Sequence, residues 1–183
     1  MRLIILGGPG SGRSTQAQRL AEQLAVTVVS TGEVLRDAIA AATEIGKTVS
    51  TYVEKGELVP DELMIEYIKM RLLRPDVANG WILEGYPRTA FQAEELDFLL
   101  DSLQQSLTFA ISLEVAPDIL LHRSLSRARE DDNHEAIERR IALHQEITMP
   151  MLDYYEWRSK LLRVDGHQAI ETVTQAIVDQ LPT

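Results

Sequence analysis

Gly7-Gly8-Pro9-Gly10-Ser11-Gly12-Arg13-Ser14-Thr15 is the stretch on which the reading of this chain turns. Before it, Arg2-Leu3-Ile4-Ile5-Leu6 is almost wholly aliphatic and stops at the glycines, which predicts a short buried strand. After it, Ala17, Leu20, Ala21 and Leu24 recur at helical spacing and predict a helix from Ser14 to Leu24. A glycine loop between a strand and a helix lets backbone N–H groups converge on phosphate oxygens, and the helix N-terminus adds favourable dipole charge. A tight glycine turn without a ligand is the alternative, but glycine, four residues, glycine, a basic residue and serine is far more specific than that. Gly10, Ser11, Gly12, Arg13, Ser14 and Thr15 are therefore candidate phosphate contacts.

Outward from this loop, Val26–Val29 predicts a second strand. Ser30, followed three residues later by Glu33, has the capping-box pattern and opens a helix through Ala42. Further helices are expected over Glu44–Gly56, Pro60–Leu73, Arg88–Leu100, Asp118–Arg127 and Asp132–Tyr155, and strands over Trp81–Glu84, Thr108–Val115 and Leu161–Val164. Phe91, Leu96, Leu99 and Leu100 are expected to form the apolar side of the Arg88 helix, and Ile170, Val173, Ile177 and Leu181 that of a closing helix. Strands alternating with helices imply an α/β fold: a parallel sheet covered on both faces, with a ligand at the carboxyl ends of its strands.

Composition bounds the function. One unit of 183 residues can bury a core without staples. There is no cysteine, hence no disulfide and no thiolate-bound zinc. The net charge of −10 argues against a nucleic-acid partner, and 14 of the 18 basic residues are arginine, which grips phosphate bidentately where lysine cannot. No apolar run approaches membrane-spanning length and the opening is too short for a signal segment, so no membrane partner and a cytoplasmic location are expected.

Three further segments follow the loop: Ser30-Thr31-Gly32-Glu33-Val34-Leu35-Arg36, Gly56-Glu57-Leu58-Val59-Pro60-Asp61, and Glu84-Gly85-Tyr86-Pro87-Arg88-Thr89 with Gln92. In this order, and over essentially the whole chain, they resemble the signatures of the adenylate kinase family in its short-lid form. The resemblance implies a P-loop nucleoside triphosphate hydrolase-like core of five parallel strands (residues 1–29, 60–122 and 139–183), an AMP-binding segment over 30–59 and a short lid over 123–138. It implies a monomer that binds ATP, AMP and ADP, uses Mg²⁺ with ATP and holds no zinc. Thr31, Arg36, Glu57, Leu58, Val59, Gly85, Tyr86, Pro87, Arg88, Gln92, Arg129 and Arg140 are carried over as AMP contacts. Arg123, Arg127 and Gln168 join the loop on the ATP side, and Arg13, Arg88, Arg127, Arg129 and Arg140 become the catalytic arginines.

The residues support parts of this. Arg88 and Gln92, four apart at an expected helix start, can share one face. Arg140 lies in register with Ala136, Leu143 and Ile147, and an arginine on an apolar stripe is costly unless an anion meets it. Three positions depart from the family pattern: Arg13 stands for the usual lysine, Glu84 for an aspartate that orients magnesium waters, and Glu33 for an aspartate, which its capping role tolerates. Charge is kept and geometry is not, so rate is in question more than binding. Reversible transfer of the terminal phosphoryl of ATP to AMP, giving two ADP, is the leading expectation. A nucleotide-binding sensor with impaired turnover and a UMP or CMP kinase are the rivals, and Arg13→Lys is the substitution expected to separate the first two.

Overall fold

The computed structural model describes residues 1–127 and 132–182. Five strands, β1 (Arg2–Leu6), β2 (Thr27–Ser30), β3 (Trp81–Glu84), β4 (Phe109–Glu114) and β5 (Leu161–Asp165), form one parallel sheet in the order β2-β3-β1-β4-β5. Nine α-helices lie among the described residues: α1 (Arg13–Leu24), α2 (Thr31–Ala40), α3 (Glu44–Lys55), α4 (Asp61–Leu72), α5 (Ala90–Ser102), α6 (Pro117–Arg127), α7 (His134–Leu143), α8 (Met149–Glu156) and α9 (Ile170–Val178). The expected α/β class and five-stranded parallel sheet are what the chain adopts.

Successive residues of β1 serve opposite faces. Leu3 and Ile5 pack with Ala17, Leu20, Val173 and Ile177 of α1 and α9, whereas Ile4 and Leu6 pack with Ile68, Leu96, Leu100 and Tyr155 of α4, α5 and α8. Because both faces are covered, the strand reads as an unbroken aliphatic run, the signature of a parallel sheet. The order reverses at β1, so the crevice between the carboxyl ends of β1 and its neighbours opens over the glycine loop.

Several sequence expectations are corrected. The helix expected from Arg88 starts at Ala90, because Thr89 caps it by accepting from the Gln92 N–H at 3.1 Å. Phe91 is half exposed rather than inward, and Gln92 and Ala93 take the buried positions beside Leu96 and Leu100. The helix expected over 132–155 is divided. Asn133 caps α7, and a π-helical segment, His144–Thr148, precedes α8 with Pro150 in its first turn. Pro150 has no N–H to give to an α-helical ladder, and the wider turn absorbs that break without ending the rod. The closing helix stops at Val178, before Leu181.

Candidate functional site

The loop that joins β1 to α1 is shaped by backbone. Gly7, Gly10 and Gly12 all have positive φ (146°, 78° and 95°), and Gly12 is the left-handed N-cap of α1. A Cβ at Gly10 would fall 2.7 Å from the Leu120 carbonyl oxygen and 2.8 Å from Ser124 Oγ, so the loop is packed against α6 as closely as glycine permits. Gly8, Gly10, Ser11, Gly12, Arg13, Ser14 and Thr15 line one cavity together with Arg123 and Arg127. Ser11 Oγ and Ser124 Oγ, both buried here, have no hydrogen-bond partner among the described residues.

A second cavity adjoins the first. It is lined by Arg13, Thr31, Arg36, Glu57, Leu58, Val59, Glu84, Gly85, Tyr86, Pro87, Arg88, Gln92, Arg127, Arg140, His144 and Thr148, among others. The structure thus brings together every sequence-predicted acceptor residue that lies within the described chain. Arg13 and Arg127 line both cavities and stand where the two meet. Arg129 lies outside the described residues.

The register of the sheet sets the floor of the junction. Ser30 pairs with Glu84 and Glu84 with Ile5 across three adjacent strands, which puts the Ser30 hydroxyl 2.7 Å from Glu84 Oε2, to which it donates. Arg13 Nε donates to Glu84 Oε1 at 2.9 Å, and a second guanidinium N–H donates to the Gly7 carbonyl. Burial pushes the Glu84 carboxyl up, but Arg13, Ser30 and Arg88 outweigh it and hold the group below the ordinary carboxylate value. Glu84 is therefore an ionised carboxylate in a buried position, engaged at both oxygens.

Arg88 is placed differently. Its Nε donates to the Gly85 carbonyl at 2.9 Å, yet no carboxylate lies within ion-pair distance of it among the described residues. Burial, with Arg13 and Arg140 adding like charge, pushes its pKa down to about 10 despite the pull of Glu84. A guanidinium in this condition is short of anions. Gln92 does not share a helix face with it: the Gln92 Oε1 accepts the Arg88 backbone N–H at 2.7 Å and its amide donates to Asp61 at 2.8 Å. Gln92 thus positions the Arg88 backbone, which corrects the expectation of two side chains projecting from one helix.

Arg127 and Arg140 converge on Asp132, whose side chain is fully buried. Arg127 donates twice at 2.9 Å and Arg140 once at 3.2 Å. The anion required by an arginine beside the α7 stripe is thus supplied by the chain itself, and the stripe proper is Ala136, Ile137 and Ile141. Arg140 also donates to the Val53 carbonyl of α3 at 2.8 Å, and Gly56, the left-handed cap of α3, meets the Ala136 carbonyl so closely that a Cβ would overlap it.

Beside the glycine loop, Arg123 donates to the carbonyls of Gly166 (2.9 Å) and His167 (3.4 Å) in the turn after β5. Gln168 lies in that turn, exposed, with its amide given to Asp165 at 2.8 Å, and it lines neither cavity.

The sequence reading missed Asp132, Ser30 and His144 as site residues. His144 lies four residues beyond Arg140 and four before Thr148, a spacing that would have shown them on one helical face. Burial, then Arg13 and Arg88, push its imidazole down to about 4, so it is neutral at physiological pH.

Comparison with known proteins agrees with this geometry. The family model described as Adenylate kinase matches residues 5–160. The chain is similar to Adenylate kinase 2 of Nostoc sp., 54% identical over 181 residues that cover 99% of this chain and 98% of the relative. It is 50% identical to Adenylate kinase 2 of Synechocystis sp., covering 99% and 100%, and 42% identical to Adenylate kinase of Stenotrophomonas maltophilia, covering 97% of each. With a family match over most of its length and full-length relatives at these identities, the chain belongs to the adenylate kinase family of nucleotide-binding phosphotransferases.

Proposed function

We propose that the chain moves the terminal phosphoryl group of ATP directly to AMP, giving two ADP, at the junction lined by Arg13 and Arg127. The observation that carries this assignment is that these two arginines border both the glycine-loop cavity and the acceptor cavity. A phosphoryl group passing between two bound nucleotides must cross that point. ATP occupies the loop, its phosphates over Gly10–Thr15 and its base end toward Arg123, with Gln168 nearby. AMP occupies the second cavity, its phosphate on Arg88, Arg36 and Arg140, its remainder against Thr31, Glu57, Leu58, Val59, Gly85, Tyr86, Pro87 and Gln92.

The transfer is in line and needs no covalent enzyme intermediate. The arginines hold donor and acceptor oxygens in line and offset the charge that spreads over the equatorial oxygens. Neutral His144 beside Arg13 and Arg88 adds no further cation there. Arg129 belongs to this set by the family resemblance. The segments 30–59 and 123–138 act as closing arms that keep water from accepting the phosphoryl. The contacts of Arg140 with Val53 and of Gly56 with Ala136 support an arrangement in which the first arm is docked on α7.

Magnesium fits as a partner of ATP. Glu84 is ionised at the carboxyl end of β3, and each of its oxygens keeps one acceptor site for a water after its protein hydrogen bond. Bound with ATP, the cation would supply charge neutralisation at the phosphates, with Glu84 holding its waters. Among the described residues no helix is long and apolar enough to cross a membrane; a monomer working in the cytoplasm accords with the family.

A coupled assay with ATP, AMP and Mg²⁺ tests the reading. Formation of ADP dependent on both nucleotides, with AMP preferred to UMP and CMP at equal concentration, is expected. Turnover no better than an empty-vector preparation overturns it.

A further inference from the structure

We infer that Glu84 is a positioning residue for Arg13, that the two side chains are matched in length, and that Ser30 locks the pair to the start of the acceptor arm. The departures at Arg13 and Glu84 are then one feature.

The geometry is specific. Arg13 uses the Nε edge of its guanidinium on Glu84 Oε1, at 2.9 Å, and a neighbouring N–H on the Gly7 carbonyl. Two of its five N–H donors are so employed, and the others have no protein acceptor among the described residues. The side chain is fixed on one edge and open on the other, while lining both cavities. An ammonium is a single point of charge and cannot hold two fixed acceptors with one edge while presenting another. Opposite such an ammonium, a carboxylate of this reach draws the charge toward itself and away from the loop mouth.

Glu84 is itself fixed. It is 5% exposed, and its second oxygen is held by Ser30 Oγ at 2.7 Å. Ser30 in turn accepts the Glu33 N–H as N-cap of α2, the first helix of the acceptor arm. The hydroxyl thus bridges the root of that arm to the carboxylate that sets the donor-loop guanidinium. Shortening Glu84 to aspartate withdraws the charge by about 1.5 Å. The Nε contact is then lost unless the donor reaches further, as a lysine Nζ does by standing one bond beyond the position of Nε.

This rests on the donor loop binding ATP, as proposed above, and gives a reversal of sign that a purely structural pair does not. The test uses the full chain as parent, Arg13→Lys, Glu84→Asp and the double variant. ATP binding is measured by calorimetry in EDTA, so that no metal contributes, alongside kcat and KM for MgATP and AMP. Each single substitution is expected to weaken metal-free ATP binding about tenfold and lower kcat, with the double variant back within about threefold of the parent. Glu84→Asp is thus harmful in the parent and beneficial in the Arg13→Lys background, while the KM for AMP stays within about twofold throughout. Losses in the double variant equal to the product of the single losses overturn the inference. So does a lone Arg13→Lys that binds ATP as well as the parent.

Thermal unfolding of each variant identifies any that do not fold. In that event Ser30→Ala in the parent decides, with a loss of metal-free ATP affinity of about threefold expected and an unchanged affinity counting against the lock. Absence of turnover in the parent would strike at the proposed function and leave the binding cycle readable.

Discussion

The donor and acceptor sides of the junction each present an arginine, and the two are held in opposite ways. Arg13 is charge-paired before any nucleotide arrives, with Glu84 on one N–H and the Gly7 carbonyl on another, and its other edge is open. Among the described residues the Arg88 side chain donates only to the Gly85 carbonyl, and burial with the like charges of Arg13 and Arg140 pushes its pKa down to about 10. A paired cation contributes to the integrity of the fold and is presented to the ligand in a fixed pose. An unpaired one is a debt that the ligand's anion relieves. The difference teaches where binding free energy and where folding free energy should be sought.

The sharpest way to break this contrast is Arg88→Ala. The expected cost to AMP affinity is about 2 to 4 kcal/mol, with little change for ATP, because a desolvated contact to the acceptor phosphate disappears. Unliganded thermal stability should hold level or rise slightly, since no carboxylate is left without its partner. The reason is desolvation and like charge, which already disfavour the Arg88 cation in the unliganded fold. A variant that melts several degrees earlier and binds AMP normally would make Arg88 structural.

Asp132→Ala probes the paired kind. Its buried carboxylate serves both Arg127 and Arg140, whose side chains are 31% and 15% exposed. Solvent at the arginines softens the loss, which is expected to be about 1 to 3 kcal/mol of unfolding free energy in urea, with a raised KM for MgATP. Unchanged stability would show that the two arginines do not depend on this anion.

A smaller effect is expected from Gly56→Ala, about 1 to 2 kcal/mol, because φ is +70° and the new methyl meets the Ala136 carbonyl. Should the acceptor arm be docked on α7 chiefly when AMP is bound, the KM for AMP rises more than stability falls. Equal stability and KM with the parent would remove this contact from the account of closure.

His144 provides the least intrusive test. Its folded pKa, about 4, lies below the ordinary 6.5, so the unfolded chain takes up a proton before the native one does. This group's contribution to stability is complete above about pH 6.5 and declines as pH falls toward 4. His144→Gln should flatten that part of the pH–stability curve. Bound phosphates beside Arg13 and Arg88 reverse the local potential, so nucleotide binding near pH 6 should take up protons in the parent and fewer in the variant, read from calorimetry in buffers of differing ionisation enthalpy.

Much of this was legible along the chain. The aliphatic run of Arg2–Leu6, the glycine loop and the helical spacing after it are local signals, and each follows from the φ/ψ needs of glycine or the period of a covered face. They sufficed for the class of fold, and the order of the motifs sufficed for the family. Trp81–Glu84 was read with its observed limits because Gly80 and Gly85 punctuate it. The misread helix starts and the division of the long rod at His144–Thr148 arise from competing local terms, Thr89 against Arg88 as a beginning and Pro150 against continuation.

Pairing was not legible. Ser30, Glu84 and Arg13 come from three separate segments and meet only because parallel register sets the carboxyl ends of β2, β3 and β1 side by side. Likewise, that Asp132 answers Arg127 and Arg140, while Arg88 has no carboxylate within ion-pair distance among the described residues, depends on which charges the folded chain buries together. Spacing along one helix or strand fixes a side chain's direction, and so the sequence by itself determined the elements, the sheet and the kind of ligand. Charge balance is a property of neighbours across elements, so only the tertiary structure decided which arginines are already satisfied and which still call for an anion.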